Sequence, residues 1–350
     1  MKVGLQFVYQ AHEGISDAEM FRRETQLAIE AEQMGFDFVG VVEHHFTDYA
    51  MCPENTQALA FIAAKTSKIQ LMPAAFILPW NDPLRVAEKA VQLDILSEGR
   101  VIIGFGRGLA KIEYDILKID MAESRDRFDE AAAMILEAVE TGFIEGNGPY
   151  YPQPRAELRP RPEKSFKGRS YMVGMSPSSI DVAAKLGLGT LKFSQGLWEN
   201  MMPEVNQYRA SFEQHHGVKA PPIIIADMVA CFEDAQKSRD YARKYQGAYF
   251  RSVLDHYEML GDHFKNIPSY ANYANAAHAM QTEGVDKAFE DYLTSNLHGT
   301  PEEIVENIQK RAGIVGDHDL SVNFTYGSMP YEDVWEQAKT FADKVLPHIK

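Results

Sequence analysis

The sequence predicts an α/β fold, a (β/α)8 barrel spanning residues 1–350 as one domain with two insertions. Three observations carry this expectation. Short apolar runs alternate with segments of helical period along all 350 residues. Eight such runs occur, each followed by at least one helical segment, which suits a closed parallel barrel better than an open doubly wound sheet. The second run, Phe36-Asp37-Phe38-Val39-Gly40-Val41-Val42, leads straight into Glu43-His44-His45-Phe46. A polar cluster at the C-terminal end of a strand is where barrel enzymes keep their chemistry.

The first strand is expected over 2–9, without the h-region or small-residue cleavage site of a secretion signal. A helix at 18–34 returns the chain to the second strand, 36–42. Helix 53–65, strand 69–75 and helix 83–97 continue the alternation, and the fourth strand is expected over 100–105. Helix 123–141 carries Phe128, Ala131, Ile135 and Ala138 on one stripe. The first insertion, 142–169, holds five prolines, and from Arg155 to Arg169 it sets six basic residues against two glutamates. It reads as a solvated crossover, with an anion-attracting rim as the alternative. Next come strand 170–174, helix 177–186, strand 188–194, helix 199–215, strand 223–232 and helix 234–257. The second insertion, 258–298, is polar, rich in Asn, Tyr, His and Ala, and shows no clear strand. It suits an active-site lid or a disordered surface loop. Thr300-Pro301-Glu302-Glu303 combines an N-cap, a first-position proline and a capping-box glutamate. Ile304, Ile308 and Ala312 then mark the buried stripe of helix 301–313. Strand 319–325 and helix 331–346 complete the set.

Bulk properties exclude some functions. With 35 basic against 50 acidic residues the formal net charge is -15. That argues against nucleic acid or an anionic membrane surface as a partner, while leaving room for a small anion held by a few arginines. The two cysteines, Cys52 and Cys231, show no CxxC spacing and read as free thiols in a reducing, cytoplasmic setting. No 18-residue apolar run is present.

Three segments carry candidate chemistry. Successive strand side chains face opposite sides, so His44 and His45 should have different jobs. A histidine takes up and releases protons near neutrality, and one of the pair can equally be structural. No metal site is expected: the chain has two His-His pairs but no HxH, and Glu43 with His45 has no further ligand cluster. Gly104-Phe105-Gly106-Arg107-Gly108 lacks the GxGxxG spacing and comes after the fourth strand, so it is not a dinucleotide fingerprint. Its glycines let a flat ligand approach the backbone, and Arg107 offers a planar fork to a phosphate. The alternative is a tight turn whose arginine is solvated or paired with an acid. Val173-Gly174-Met175-Ser176-Pro177-Ser178-Ser179 ends a strand and opens a helix with three hydroxyls, an anion seat; simple N-capping would explain one of them.

Together these segments resemble the bacterial luciferase-like, flavin-dependent monooxygenases, most closely the luciferase α-subunit branch, over nearly the whole chain. The resemblance rests on Glu43-His44-His45-Phe46-Thr47-Asp48-Tyr49, Pro83-Leu84-Arg85-Val86-Ala87-Glu88, Asp94-Ile95-Leu96-Ser97-Glu98-Gly99-Arg100, Gly104 to Gly108 and Gly299-Thr300-Pro301-Glu302-Glu303. It implies a luciferase-like TIM barrel binding FMN at its C-terminal face. Such an enzyme takes up reduced FMN from a separate reductase, adds O2 at the flavin C4a position and oxygenates a small aldehyde, ketone or terpene-like substrate. The absence of a nicotinamide fingerprint agrees with a separate, transient reductase. By position, His44 resembles the catalytic histidine, supported by His45 and Glu43. Ala74-Ala75 resembles the strand-end pair beneath the isoalloxazine, joined in the family by a non-proline cis bond. Gly106, Arg107, Gly108, Leu109, Arg125, Val173, Met175, Ser176, Ser178 and Ser179 match positions around the ring edge, ribityl chain and phosphate. A homodimer is implied through helices 53–65 and 83–97, with Leu59, Ile62, Val86, Ala90 and Val91 available.

The chain also departs from that branch. Luciferase α-subunits carry a reactive cysteine where Gly106 stands and an acidic residue where Met175 stands, and their tryptophans after the sixth strand give way to Leu191-Lys192-Phe193-Ser194. Light emission and a long-chain aldehyde substrate are therefore in doubt. A deazaflavin-dependent hydride-transfer enzyme and a non-catalytic flavin-binding partner subunit are the alternatives.

Overall fold

Eight parallel strands form the barrel in a computed structural model that describes all 350 residues, Met1–Lys350. They are Val3–Phe7, Phe38–Val41, Gln70–Pro73 continued by Phe76–Ile77, Ile103–Gly106, Ser170–Val173, Gly189–Phe193, Ile223–Cys231 and His318–Asn323. Each pairs with the next, and the eighth returns to the first, with Val3 opposite Leu320. The third strand meets the fourth in two pieces, Leu71 beside Val101 and Phe76 beside Phe105. The break between the pieces is Ala74–Ala75, whose peptide bond is cis. The strands thus lie where the apolar runs predict them.

Strand periodicity sorts the residues into two layers. Val39, Leu71, Ile103 and Ile225 join a 74-residue core between barrel and helices. Their neighbours Phe38, Met72, Ala74, Ile102, Leu191, Ile224 and Ala226 fill the barrel interior and make the floor under the C-terminal face. Gly104 is required where the broken third strand crowds the fourth: a Cβ there would lie 2.3 Å from the carbonyl oxygen of Pro73. That oxygen belongs to backbone and cannot turn aside. Gly104→Ala should therefore destabilise the fold by about 1–3 kcal/mol, measured as a lower urea midpoint.

The helices start where their caps say. Ser16 accepts from the N–H of Glu19, Asp82 from that of Arg85 ahead of Pro83, and Thr300 with Glu303 forms the full capping box. The segment 234–257 is not one plain helix. Ala235–Tyr241 passes through a π-turn, Ala242–Gln246, into Gly247–His256. Such a turn re-aims the helix beyond it, and here that helix ends in His256 and Tyr257.

Several expectations are corrected. Residues 142–169 contain an antiparallel hairpin, Phe143–Gly146 with Gln153–Glu157. Most basic residues of this insertion are engaged within it or with the helix and loop before the fourth strand. Arg159 and Arg161 pair with Glu157, Arg169 with Asp94 at 2.6 Å, and Arg155 lies over Phe143. The segment is a crossover and not an anion-attracting rim. Residues 258–298 are not a structureless loop: two 3-10 turns, His263–Asn266 and Pro268–Tyr270, precede helices Ala271–Glu283 and Val285–Ser295 and a short strand, Leu297–Gly299. A helix at Lys111–Leu117 adds to the predicted set. Leu59, Ile62, Val86, Ala90 and Val91 are all buried against the chain's own barrel; their helices expose Phe61 and Leu96 instead, 55% and 61% exposed. Both cysteines are free and buried, and burial pushes each thiol up to about 12. No helix is long and apolar enough to cross a membrane.

One buried carboxyl ties the first helix to the segments that follow the first and last strands. Glu24 accepts from the Tyr9 N–H at 3.1 Å and lies 3.4 Å from the Tyr331 hydroxyl. Burial raises its pKa to about 8, against about 4.3 in an unfolded chain. Between those values the folded chain holds a proton that the unfolded chain has released, so stability should fall as pH rises through this window. Urea midpoints at pH 5 and pH 8, compared between wild type and Glu24→Gln, isolate this effect. The variant should lose less stability over that range.

Candidate active site

The second strand stops at Val41, so Glu43, His44 and His45 lie on the loop beyond it. They do point differently, but loop geometry and not strand pleat is the cause; Phe46 comes next with φ of 67°. Buried Glu43 accepts from the Ile77 N–H at 3.1 Å, Trp80 Nε1 at 2.7 Å and Asn81 Nδ2 at 2.8 Å. It therefore ties the second strand's loop to the segment after the third strand. His45 Nε2 lies 3.5 Å from the same carboxylate, which makes His45 part of that tie.

His44 has a different partner. Its Nδ1 donates to Glu113 Oε1 at 3.0 Å, and the His45 backbone N–H donates to the same oxygen at 2.7 Å. Glu113 sits on the additional helix Lys111–Leu117 and is fully buried; no sequence signal marks it. Burial works to raise its pKa, but the adjacent His44, the His45 N–H and His256 together hold it below the usual carboxylate range. It is an anion at neutral pH. The second nitrogen of His44, Nε2, lies 3.2 Å from the Tyr257 hydroxyl. His256 completes the cluster, with Nε2 at 4.0 Å from Glu113 Oε1 and Nδ1 at 2.8 Å from Thr47 Oγ1. Burial first, and His44 second, depress the His256 pKa to about 3, so its ring is neutral.

A second group of residues converges across the barrel mouth. Arg125 donates to Ser179 Oγ at 2.9 Å and approaches Ser178 Oγ at 3.3 Å. Ser176 caps helix Pro177–Lys185 and lies 2.9 Å from Ser179 Oγ and 3.2 Å from Ser178 Oγ. Arg125 is held below its usual range by burial and then by Arg107 nearby. Arg107 is neither solvated nor paired with an acid. Its Nη2 donates to the Ser269 carbonyl at 3.0 Å, and its guanidinium lies 4.0 Å over the Tyr270 ring. Both contacts come from the 258–298 insertion. Tyr270 also donates to the Gly108 carbonyl at 2.9 Å, and Leu109 joins Trp80, Tyr114, Phe264, Tyr270 and Tyr273 in a small apolar cluster. The insertion is thus latched onto the loop after the fourth strand.

One nitrogen on each arginine, Nη1, is buried without a hydrogen-bond partner. The unsatisfied Arg107 nitrogen and the Arg125 nitrogen, which faces Asp129 Oδ1 at 3.6 Å, together with three serine hydroxyls and a helix N-terminus fit a bound phosphate group. Ala74 and Ala75 lie buried at the strand end, with the Ala75 carbonyl accepting from Asn55 Nδ2 at 3.1 Å. At Gly106 a Cβ would come within 2.6 Å of Ile77 Cδ1 and 3.3 Å of Ala75 Cβ. Val173 packs on the barrel interior, and the Met175 sulfur accepts from the Phe193 N–H at 3.3 Å.

The chain matches the luciferase-like monooxygenase family over residues 1–318. It belongs to that family. It is 23% identical over 349 residues to the alkanal monooxygenase alpha chain of Photorhabdus luminescens, covering 96% of this chain and 94% of that one. To a beta chain from the same organism it is 25% identical, over 72% of this chain and 78% of that one. Among solved structures, monooxygenase RslO1 from Streptomyces bottropensis superposes with a TM-score of 0.80 at 25% identity, each chain fully covered. Two more distant structures share the fold. One is the oxygenating constituent of 3,6-diketocamphane monooxygenase from Pseudomonas putida, solved with FMN, with a TM-score of 0.77 at 18% identity over 99% and 98% of the chains. The other is the coenzyme F420-dependent tetrahydromethanopterin reductase of Methanopyrus kandleri, with a TM-score of 0.71 at 19% identity over 100% and 99%. As a luciferase-like monooxygenase, the chain is an enzyme of the flavin-dependent oxidoreductase class.

Proposed function

We propose that this luciferase-like chain is the oxygenating component of a two-component, FMN-dependent monooxygenase acting on a small aldehyde, ketone or terpene-like substrate. The observation that carries the reading is the buried, unpartnered Nη1 of Arg107 together with Arg125, whose Nη1 faces only Asp129 at 3.6 Å and whose Nη2 meets the serine cluster Ser176, Ser178 and Ser179. These residues would hold the FMN phosphate. Reduced FMN, delivered by a separate reductase, would supply the electrons that activate O2. The flat ring would lie against the small residues Ala74, Ala75 and Gly106 at the ends of the third and fourth strands.

The chain's own chemistry centres on His44. Glu113 fixes the Nδ1 proton of the imidazole, so Nε2 is the nitrogen that accepts a proton. When it does, the Glu113 carboxylate faces the imidazolium and stabilises it. Glu43 and His45 hold this loop in place from the other side. The latched insertion, through Phe264, Tyr270 and Tyr273, excludes water from the arginine side of the site.

The test is oxygen uptake with reduced FMN and a panel of aldehydes, cyclic ketones and terpenes, with products read by mass spectrometry. Substrate-dependent products heavier by one oxygen are expected. A deazaflavin-dependent hydride transfer is the second reading, favoured by the F420-dependent enzyme that shares the fold over the whole chain. Reduction of substrate by reduced deazaflavin, with no oxygen uptake on FMN, would establish it instead. Retention of His44 beside an ionised Glu113 argues against a non-catalytic partner subunit.

The reading includes a homodimer, built through the exposed faces of helices Asn55–Ala63 and Pro83–Leu96. Phe61 on the first and Leu96 on the second are large apolar side chains left outward there. Light scattering should give twice the chain mass, and Phe61→Asp should shift it toward the monomer. A monomeric mass for the wild type removes the proposal.

A further inference from the structure

We propose that His44, Glu113 and His256 form a binding site for one transition-metal ion, zinc(II) being best matched, and that filling it stops turnover. One ligand atom from each residue lies within 4.8 Å of the other two. Glu113 Oε1 stands 3.0 Å from His44 Nδ1 and 4.0 Å from His256 Nε2. Around a tetrahedral zinc with bonds of about 2.0–2.2 Å, neighbouring ligand atoms sit about 3.4 Å apart. Small side-chain shifts bring the three atoms to that spacing.

Two further observations point to an ion. His256 Nε2 and Glu113 Oε2 are both buried without a hydrogen-bond partner, and both side chains are more than nine-tenths buried. Buried polar atoms seldom go unsatisfied. The far nitrogen of each imidazole is also held by a hydroxyl. His256 Nδ1 lies 2.8 Å from Thr47 Oγ1, and His44 Nε2 lies 3.2 Å from the Tyr257 hydroxyl. Metal-bound histidines are oriented in this way, by a partner on the nitrogen that does not bind.

The donor set selects the ion. Two imidazoles and one carboxylate favour zinc and its first-row neighbours over magnesium or calcium, which prefer all-oxygen sites. Three protein ligands leave a fourth position for water. The ion would bind the His44 tautomer whose proton lies on Nε2, toward the Tyr257 hydroxyl, through the Nδ1 lone pair. Loss of turnover rests on the proton-accepting role proposed for His44; the binding site itself does not. With Nδ1 on the metal and the proton on Nε2, the imidazole has no lone pair left to accept a proton.

The experiment is calorimetric titration of the metal-free chain with zinc chloride, with cobalt(II) as a visible-absorbing probe and turnover measured in parallel. The exposed pair His215 and His216 is a competing surface site, so the double variant His215→Ala, His216→Ala serves as the reference chain. One site per chain should persist there. His256→Gln should weaken it more than about tenfold, and Thr47→Val, outside the ligand set, by about 10–100-fold. Thr47→Val keeps the test open if His256→Gln does not fold. Zinc bound only through His215 and His216, or affinity unchanged in both His256→Gln and Thr47→Val, would overturn the site. Site-dependent binding with undiminished product formation would overturn the loss of turnover, and with it the role given to His44. Absence of product from the metal-free chain, with zinc binding intact, would count against the oxygenase reading and leave the metal site standing.

Discussion

His44→Ala should lower product formation by about 10²–10⁴-fold, the usual contribution of a positioned acid–base group, while reduced FMN still binds. The expectation comes from two contacts. Nδ1 is committed to Glu113, and Nε2 meets only the Tyr257 hydroxyl. No other imidazole can take its place: His45 is tied to Glu43, and His256 is neutral and buried. Glu113→Gln should give a loss of the same direction, because an amide keeps the shape but offers no negative charge opposite the imidazolium. Its pH profile should also move, which a merely structural change would not produce. Peroxide release should rise in both variants as oxygen uptake uncouples from product. Near-normal, coupled turnover in His44→Ala would reduce the histidine to a structural donor.

Arg107→Ala and Arg125→Ala should each weaken FMN binding by about 2–3 kcal/mol, roughly 30–150-fold, the loss for a charge-assisted pair. The two arginines differ in what else they do. Arg125 touches only the serine side of the seat and Asp129, at 3.6 Å. Arg107 also carries the insertion, through the Ser269 carbonyl and the Tyr270 ring. Arg125→Ala should therefore affect affinity alone, whereas Arg107→Ala should also make residues 258–298 more open to proteolysis. By linkage, a ligand that tightens on Arg107 should protect the insertion in turn.

Much of the fold is legible in the sequence, and the reasons are physical. Barrel strands buried on both faces read as short apolar runs, and Gly and Pro bound them. Caps such as Thr300 with Glu303 have a fixed spacing that survives translation into structure. The Glu43-His44-His45 cluster is conspicuous because polar residues rarely end so apolar a run. The partners of His44 are not legible. Glu113 is 69 residues away, on a seven-residue helix too short to show periodicity, and Tyr257 is 213 residues away, after a π-turn. Only tertiary structure brings them together. The helices of the insertion 258–298 escape sequence reading because Ala271–Glu283 buries little beyond Ala277 and so shows no apolar stripe. The expected dimer face proves to be the inward one: Leu59, Ile62, Val86, Ala90 and Val91 form the stripe that packs on the barrel. The outward residues, Phe61 and Leu96, look like noise beside them.

The central claim is that a flavin phosphate sits on Arg107, Arg125 and the serines of 176–179. Anaerobic titration of the wild-type chain with reduced FMN, reduced riboflavin and reduced deazaflavin tests it most directly. Riboflavin carries the same ring and ribityl chain without the phosphate. The account predicts that FMN binds at least about 30-fold tighter than riboflavin, that Arg125→Ala removes most of this difference, and that deazaflavin binds more weakly than FMN. Equal affinity for FMN and riboflavin, or tighter binding of the deazaflavin, would contradict it.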